Sequence, residues 1–163
     1  MALRLTLVSR RTRRAALACQ LGRFAYLYHY TSRDTLYDIV RTCVLRPSHA
    51  QWGFGVYLTD IAPRADNRRR LSLLFGRGRF SAERLEAYVH IAREKADAEQ
   101  HRDDPHVFVA PGKVSLSGEP IEIGLWQGAS DPDDHGGWSS ERIERCAPDP
   151  GELRRAFERL LKH

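Results

Sequence analysis

Cysteine is scarce: Cys19, Cys43 and Cys146 are the only three in 163 residues. Odd in number and widely spaced, they fit no disulfide framework, and a reducing compartment is the simplest reading. No apolar run approaches the roughly 18 residues that a membrane-spanning helix needs. CxxC, HxxxH and HExxH spacings are missing although the chain has seven histidines, so no metal site is expected. There is no GxSxG to hold a nucleophilic serine, and no GxxxxGK[ST] or GxGxxG to cradle phosphates in the common ways. Acidic residues are absent from positions 1 to 25, which carry six arginines (Arg4, Arg10, Arg11, Arg13, Arg14, Arg23).

That asymmetry decides how the charge is read. The chain is formally +5 with a pI near 9.4, but beyond residue 25 it has 20 basic against 21 acidic residues and is close to neutral. Basicity is therefore a property of an N-terminal arm. The arm lacks the continuous apolar stretch of a secretory signal, because arginines interrupt it after Val8. Residues 1–24 are expected to be a weakly ordered, solvated arm, with a targeting peptide or a phosphate-binding arm as alternatives. Residues 25–163 are expected to form a single domain with a C-terminal helix. Apolar residues at 42% and charged residues at 29% suit a soluble globular domain with a core of its own. The expected location is the cytoplasm, or a target cell into which the protein is delivered.

The periodicities indicate α+β architecture with a mainly antiparallel sheet. Residues 24–30 read as a strand, after which Ser32 caps a helix with Leu36, Ile39, Val40 and Cys43 on one face. Pro47 and Ser48 open a loop ending at Gly53, and residues 54–59 form a second strand whose glycines, 53 and 55, allow close packing against its backbone. Leu71, Leu74 and Phe75 suggest a helix stopped by Gly76, with Arg68, Arg69 and Arg70 in its first turns on a solvated face. Alternation through residues 85–91 predicts a half-buried strand. Residues 93–105 are a polar surface excursion, followed by strands at 106–110, 113–117 and 120–126. Residues 128–137 read as a loop. Asp149 caps a last helix bearing Leu153, Ala156, Phe157, Leu160 and Leu161.

Two stretches carry possible chemistry. LYHYTS at 27–32 sets His29 at a strand end, where a histidine commonly does no more than satisfy a local bond. WGFGVYLTD at 52–60 sets Tyr57 on an apolar strand, where a tyrosine is commonly core. Together, in this order and with a helix between them, they resemble the ADP-ribosyltransferase superfamily of diphtheria-toxin and poly(ADP-ribose) polymerase type. The pair is most similar to the bacterial H-Y-D-signature members, often found as toxin domains.

The resemblance implies the split antiparallel fold of that superfamily, NAD as co-substrate and release of nicotinamide. It assigns His29 to the adenosine ribose, the main chain of Tyr30 and the hydroxyl of Thr31 to the nicotinamide carboxamide, and the Tyr57 ring to the nicotinamide face. Gly53 and Gly55 would give room and backbone shape. Relatives place an acid at the start of a later strand, where it bonds the nicotinamide ribose 2′-OH. Here His106 directly precedes the strand, and Asp104 is chosen as the acid over Asp103, His106, Glu119 and Glu122. The second stacking aromatic of the polymerases is replaced by Arg68, which disfavours polymer synthesis. With Arg64, Arg77 and Arg79, the arginine run 68–70 alternatively meets the NAD pyrophosphate or an anionic acceptor such as nucleic acid. The implied activity is mono-ADP-ribosyl transfer to an unidentified acceptor. A non-catalytic NAD or ADP-ribose binding module, and a nucleic-acid binder using the basic arm, are the alternatives.

Overall fold

The computed structural model describes residues 26–50, 52–75, 82–118, 120–128, 136–146 and 149–162. The basic arm, Cys19, Gly76, Arg77, Arg79, Glu119 and most of the 128–137 loop lie outside the described residues. Ten strands are described: β1 (Tyr26–Thr31), β2 (Val44–Leu45), β3 (Ser48–Ala50), β4 (Gly53–Thr59), β5 (Ala87–Ala92), β6 (Glu99–Gln100), β7 (Val107–Ala110), β8 (Val114–Ser115), β9 (Ile121–Gln127) and β10 (Gly137–Ile143). The α-helices are α1 (Arg33–Thr42), α2 (Arg68–Phe75), α3 (Arg93–Ala96) and α4 (Pro150–Leu160).

The main sheet runs β10-β9-β5-β1-β4-β7-β6, with β3 also on β4, and every pairing in it is antiparallel. This is the α+β arrangement expected, a mainly antiparallel sheet with a few short helices. The split is visible in the register. β1 pairs with β5 along its whole length, from Tyr26↔Ala92 to Thr31↔Ala87, but with β4 only at Tyr28↔Thr59. On its other edge β4 is fully paired with β7, Val56 to Thr59 against Ala110 to Val107.

The pleat sends alternate residues of each strand to opposite faces. One face packs Leu27, Val56, Leu58, Val89, Ile91, Phe108, Ile123 and Leu125 against Leu36, Ile39 and Val40 of α1 and Leu153 and Leu160 of α4. Ser32 caps α1 by accepting from Thr35 N at 3.3 Å, and Asp149 caps α4 by accepting from Gly151 N at 2.7 Å. The other face carries a second cluster, in which Tyr30 and Tyr88 pack with Ile61, Leu71 and Leu85.

Several expectations need correcting. β5 is covered on both faces, because Tyr88 is buried beneath the second cluster. The 93–105 excursion contains α3 and β6, and Ala96 is buried. The loop after Pro47 contains β3, which forms a hairpin with β4. β8 leaves the main sheet to pair with β2, and β9 crosses to the far side of β5. β10 was not anticipated: its segment, GWSSERI, alternates too weakly to signal a strand, and its partner β9 supplies the apolar face. Leu161 is exposed, since α4 ends one residue earlier.

Candidate active site at the strand split

Where β1 and β4 part, the ladder is continued by a side chain. His29 Nδ1 lies 2.9 Å from the Tyr57 carbonyl oxygen. A carbonyl only accepts, so Nδ1 carries the proton and Nε2 is left as an acceptor. Burial pulls the imidazole pKa below its ordinary value. The bond to the Tyr57 carbonyl acts the other way, and Arg84 adds to the lowering. The ring is thus a neutral imidazole with a fixed tautomer, held at the seam.

Tyr57 is half-buried, and its hydroxyl donates to the Gly53 carbonyl at the start of the same strand. Gly53 itself adopts φ +105°, a backbone conformation that favours glycine. Gly55 is required for a different reason. A Cβ there would lie 2.5 Å from Val109 Cγ1 and 2.8 Å from the Ala110 carbonyl oxygen, so only glycine lets β7 approach. Burial raises the Tyr57 phenol pKa, partly offset by a bond from the Ala50 backbone.

Next to Tyr57 stands Trp52, with ring centroids 5.8 Å apart. Trp52 also lines a cavity of about 630 Å³ with Ile61, Arg70, Leu74, Asp104 and His106. Trp52 thus touches Tyr57 on one side and the cavity on the other; Asp103 lines that cavity beside Asp104, whereas Tyr57 and His29 are not among its lining residues. Asp104 Oδ1 accepts from His106 N at 2.9 Å and its carbonyl from Val107 N at 3.2 Å, which shapes the turn entering β7.

Of the other acids, Asp103 has a side chain 85% exposed. Glu122 sits on β9, on the far side of β5 and β1 from β4, where Tyr88 donates to it at 2.7 Å. Tyr30 buries its ring in the second cluster, donating to the Ile61 carbonyl at 2.9 Å, and burial drives its pKa upward. Thr31 is buried at the end of β1.

Two groups escaped the sequence reading. Asp60, the last residue of WGFGVYLTD, has a side chain only 6% exposed, and its Oδ1 lies 2.8 Å from His106 Nδ1. Trp52 was inside the quoted motif but had no assigned role. Arg68 is a correction. It is not on a solvated face but 1% exposed, donating to the Leu85 carbonyl at 2.8 Å with its guanidinium 4.1 Å from the centre of the Trp126 ring. Arg64, Arg69 and Arg70 are exposed. Among the described residues no group of three or more His, Cys, Asp or Glu is placed to hold a metal. No described helix is long and apolar enough to cross a membrane.

The mainly antiparallel sheet with a few short helices is the α+β architecture of an ADP-ribosyltransferase fold. The chain belongs to the family of HYD1 signature containing ADP-ribosyltransferases, whose model matches residues 27–117. No curated protein and no solved structure matches the chain.

Proposed function

We propose that the protein transfers a single ADP-ribose from NAD to an acceptor and releases nicotinamide. The observation that carries this reading is the His29 imidazole, tied through Nδ1 to the Tyr57 carbonyl with Nε2 left to accept. Such a nitrogen suits a ribose hydroxyl, which would fix the adenosine end of the dinucleotide. At the other end, the main chain of Tyr30 and the Thr31 hydroxyl hold the carboxamide. The rings of Tyr57 and Trp52 offer the nicotinamide an aromatic wall, and Gly55 keeps the backbone beneath it thin.

Cleavage of the nicotinamide–ribose bond passes through a cation resembling the glycosidase oxocarbenium ion. The protein's share is positioning and electrostatic stabilisation. Asp104, at the cavity, is the acid assigned to the 2′-hydroxyl. Arg68 supports single transfer over polymer synthesis, because a guanidinium buried against Trp126 cannot stand in for a stacking ring over the nicotinamide. The acceptor class is left open by these residues, and a toxin role rests on family membership.

The test is incubation of the full chain with labelled NAD. Release of nicotinamide is expected, whereas retention of intact NAD would make the protein a binding module. Asp104→Asn should sharply reduce release, and unaltered release would discard that assignment.

A further inference from the structure

The residue that stands where relatives carry an acid is His106, and the structure gives it a carboxylate of its own. We propose that His106, held by Asp60, is the proton acceptor for the incoming nucleophile in ADP-ribose transfer; this rests on the reading above.

Strand pairing fixes the two residues. Thr59 and Val107 are register partners, so Asp60, one residue past β4, and His106, one residue before β7, face each other across the ladder. Asp60 Oδ1 and His106 Nδ1 are 2.8 Å apart, with the carboxylate nearly buried and the imidazole about one-third exposed. The backbone of His106 is held by Asp104 Oδ1 at 2.9 Å. A carboxylate on Nδ1 selects the Nδ1–H tautomer and leaves the Nε2 lone pair as the outward, basic site. Nε2 meets the guanidinium of Arg70, which only donates, at 2.6 Å; this contact independently requires Nε2 to be an acceptor. His106 and Arg70 both line the cavity that holds Trp52 and Asp104. Arg70 is an exposed α2 side chain that can turn away when a nucleophile takes its place.

The step balances. The C1′–N bond breaks and its electron pair leaves with neutral nicotinamide. A lone pair of the acceptor X–H forms the new bond to C1′, and the proton of X–H passes to His106 Nε2. The resulting imidazolium is stabilised by Asp60 and later gives its proton to water. Buried Asp60 does for His106 what an acid partner does in other imidazole bases: it orients the ring and offsets its charge.

The groups that face His106 are Asp60 at the end of β4, Arg70 on α2, and Asp103 and Asp104 on its own turn. The experiment measures steady-state nicotinamide release by the full chain across pH. His106→Gln is expected to lower kcat by about 100-fold, leave the KM for NAD within about twofold, and abolish the acid limb of the profile. Asp60→Asn should also lower kcat, since the ring loses the carboxylate that holds its Nδ1–H tautomer. Wild-type release with unchanged kcat and acid limb in His106→Gln would overturn the proposal. If His29→Ala instead raises KM without touching the limb, the two roles are separated as argued. An activity-independent readout is the ¹⁵N spectrum of His106 in the full chain, where protonated Nδ1 and bare Nε2 are expected and the opposite tautomer overturns the proposal. Absence of release by the wild type would sink the enzymatic reading first, and this one with it.

Discussion

His29 meets two requirements at once, and its ionisation ties them to pH. Its folded pKa is depressed by burial, as is that of His90, whose ring stacks on Tyr28 at a centroid distance of 4.8 Å. In the unfolded chain both titrate near about 6.5. Below that value the unfolded state binds more protons than the folded one, so stability falls as pH drops towards the folded pKa values and is unaffected above. Thermal unfolding between pH 7.5 and 5 should show this decline, and His29→Gln should flatten it. A decline of equal slope in the variant would assign the effect to His90. Tyr57 is the residue to probe for the ligand face. Losing a stacking ring is worth about 0.5–1.5 kcal/mol, so Tyr57→Ala should weaken NAD binding by about 2- to 13-fold, as titration calorimetry would detect.

At the scale of elements, the helices and strands flanking the split were legible because their signals are local. Ser32, Asp149 and the apolar spacing of α1 and α4 each act within one or two turns, and capping replaced the missing backbone partners as expected. Ser32→Ala should cost about 1 kcal/mol of stability in urea unfolding, without altering the site. Gly55→Ala is the harsher change. Its methyl group would press on the Ala110 carbonyl, which cannot yield without disturbing the β4–β7 ladder, and a loss of about 1–3 kcal/mol is expected. A wild-type midpoint in this variant would mean that β7 does not approach as closely as the sheet requires. What stayed illegible depends on distant partners. β10 and β3 exist because β9 and β4 offer edges to them, and neither has enough periodicity of its own. Arg68 reads as a surface residue in a run of three arginines; in the fold its burial is compensated by partners distant in sequence, among them the Leu85 carbonyl and the Trp126 ring from β9.

Over the whole molecule, the motifs point to His29 and Tyr57, since both lie inside short, specific stretches, and Asp104 is picked out just ahead of a strand. The His106–Asp60 pair was obscured because it is made by two distant residues: Asp60 closes one motif and His106 precedes a strand 46 residues later, and only the ladder between β4 and β7 joins them. Binding of NAD should stabilise the folded chain as a whole, by about 2.7 kcal/mol when NAD is present at 100 times its Kd. A rise in melting temperature with NAD, absent from His29→Ala, is the expected result, and an equal rise in both would move the dinucleotide away from the seam. The seam itself has a consequence for how this protein can change. Past Tyr28 and Thr59, the backbone ladder between β1 and β4 gives way to a side-chain bond from one imidazole, whose other nitrogen is left to accept. Ligand recognition and mechanical integrity therefore share a single ring, and any inheritance that silences the first by replacing it also unbuttons the second.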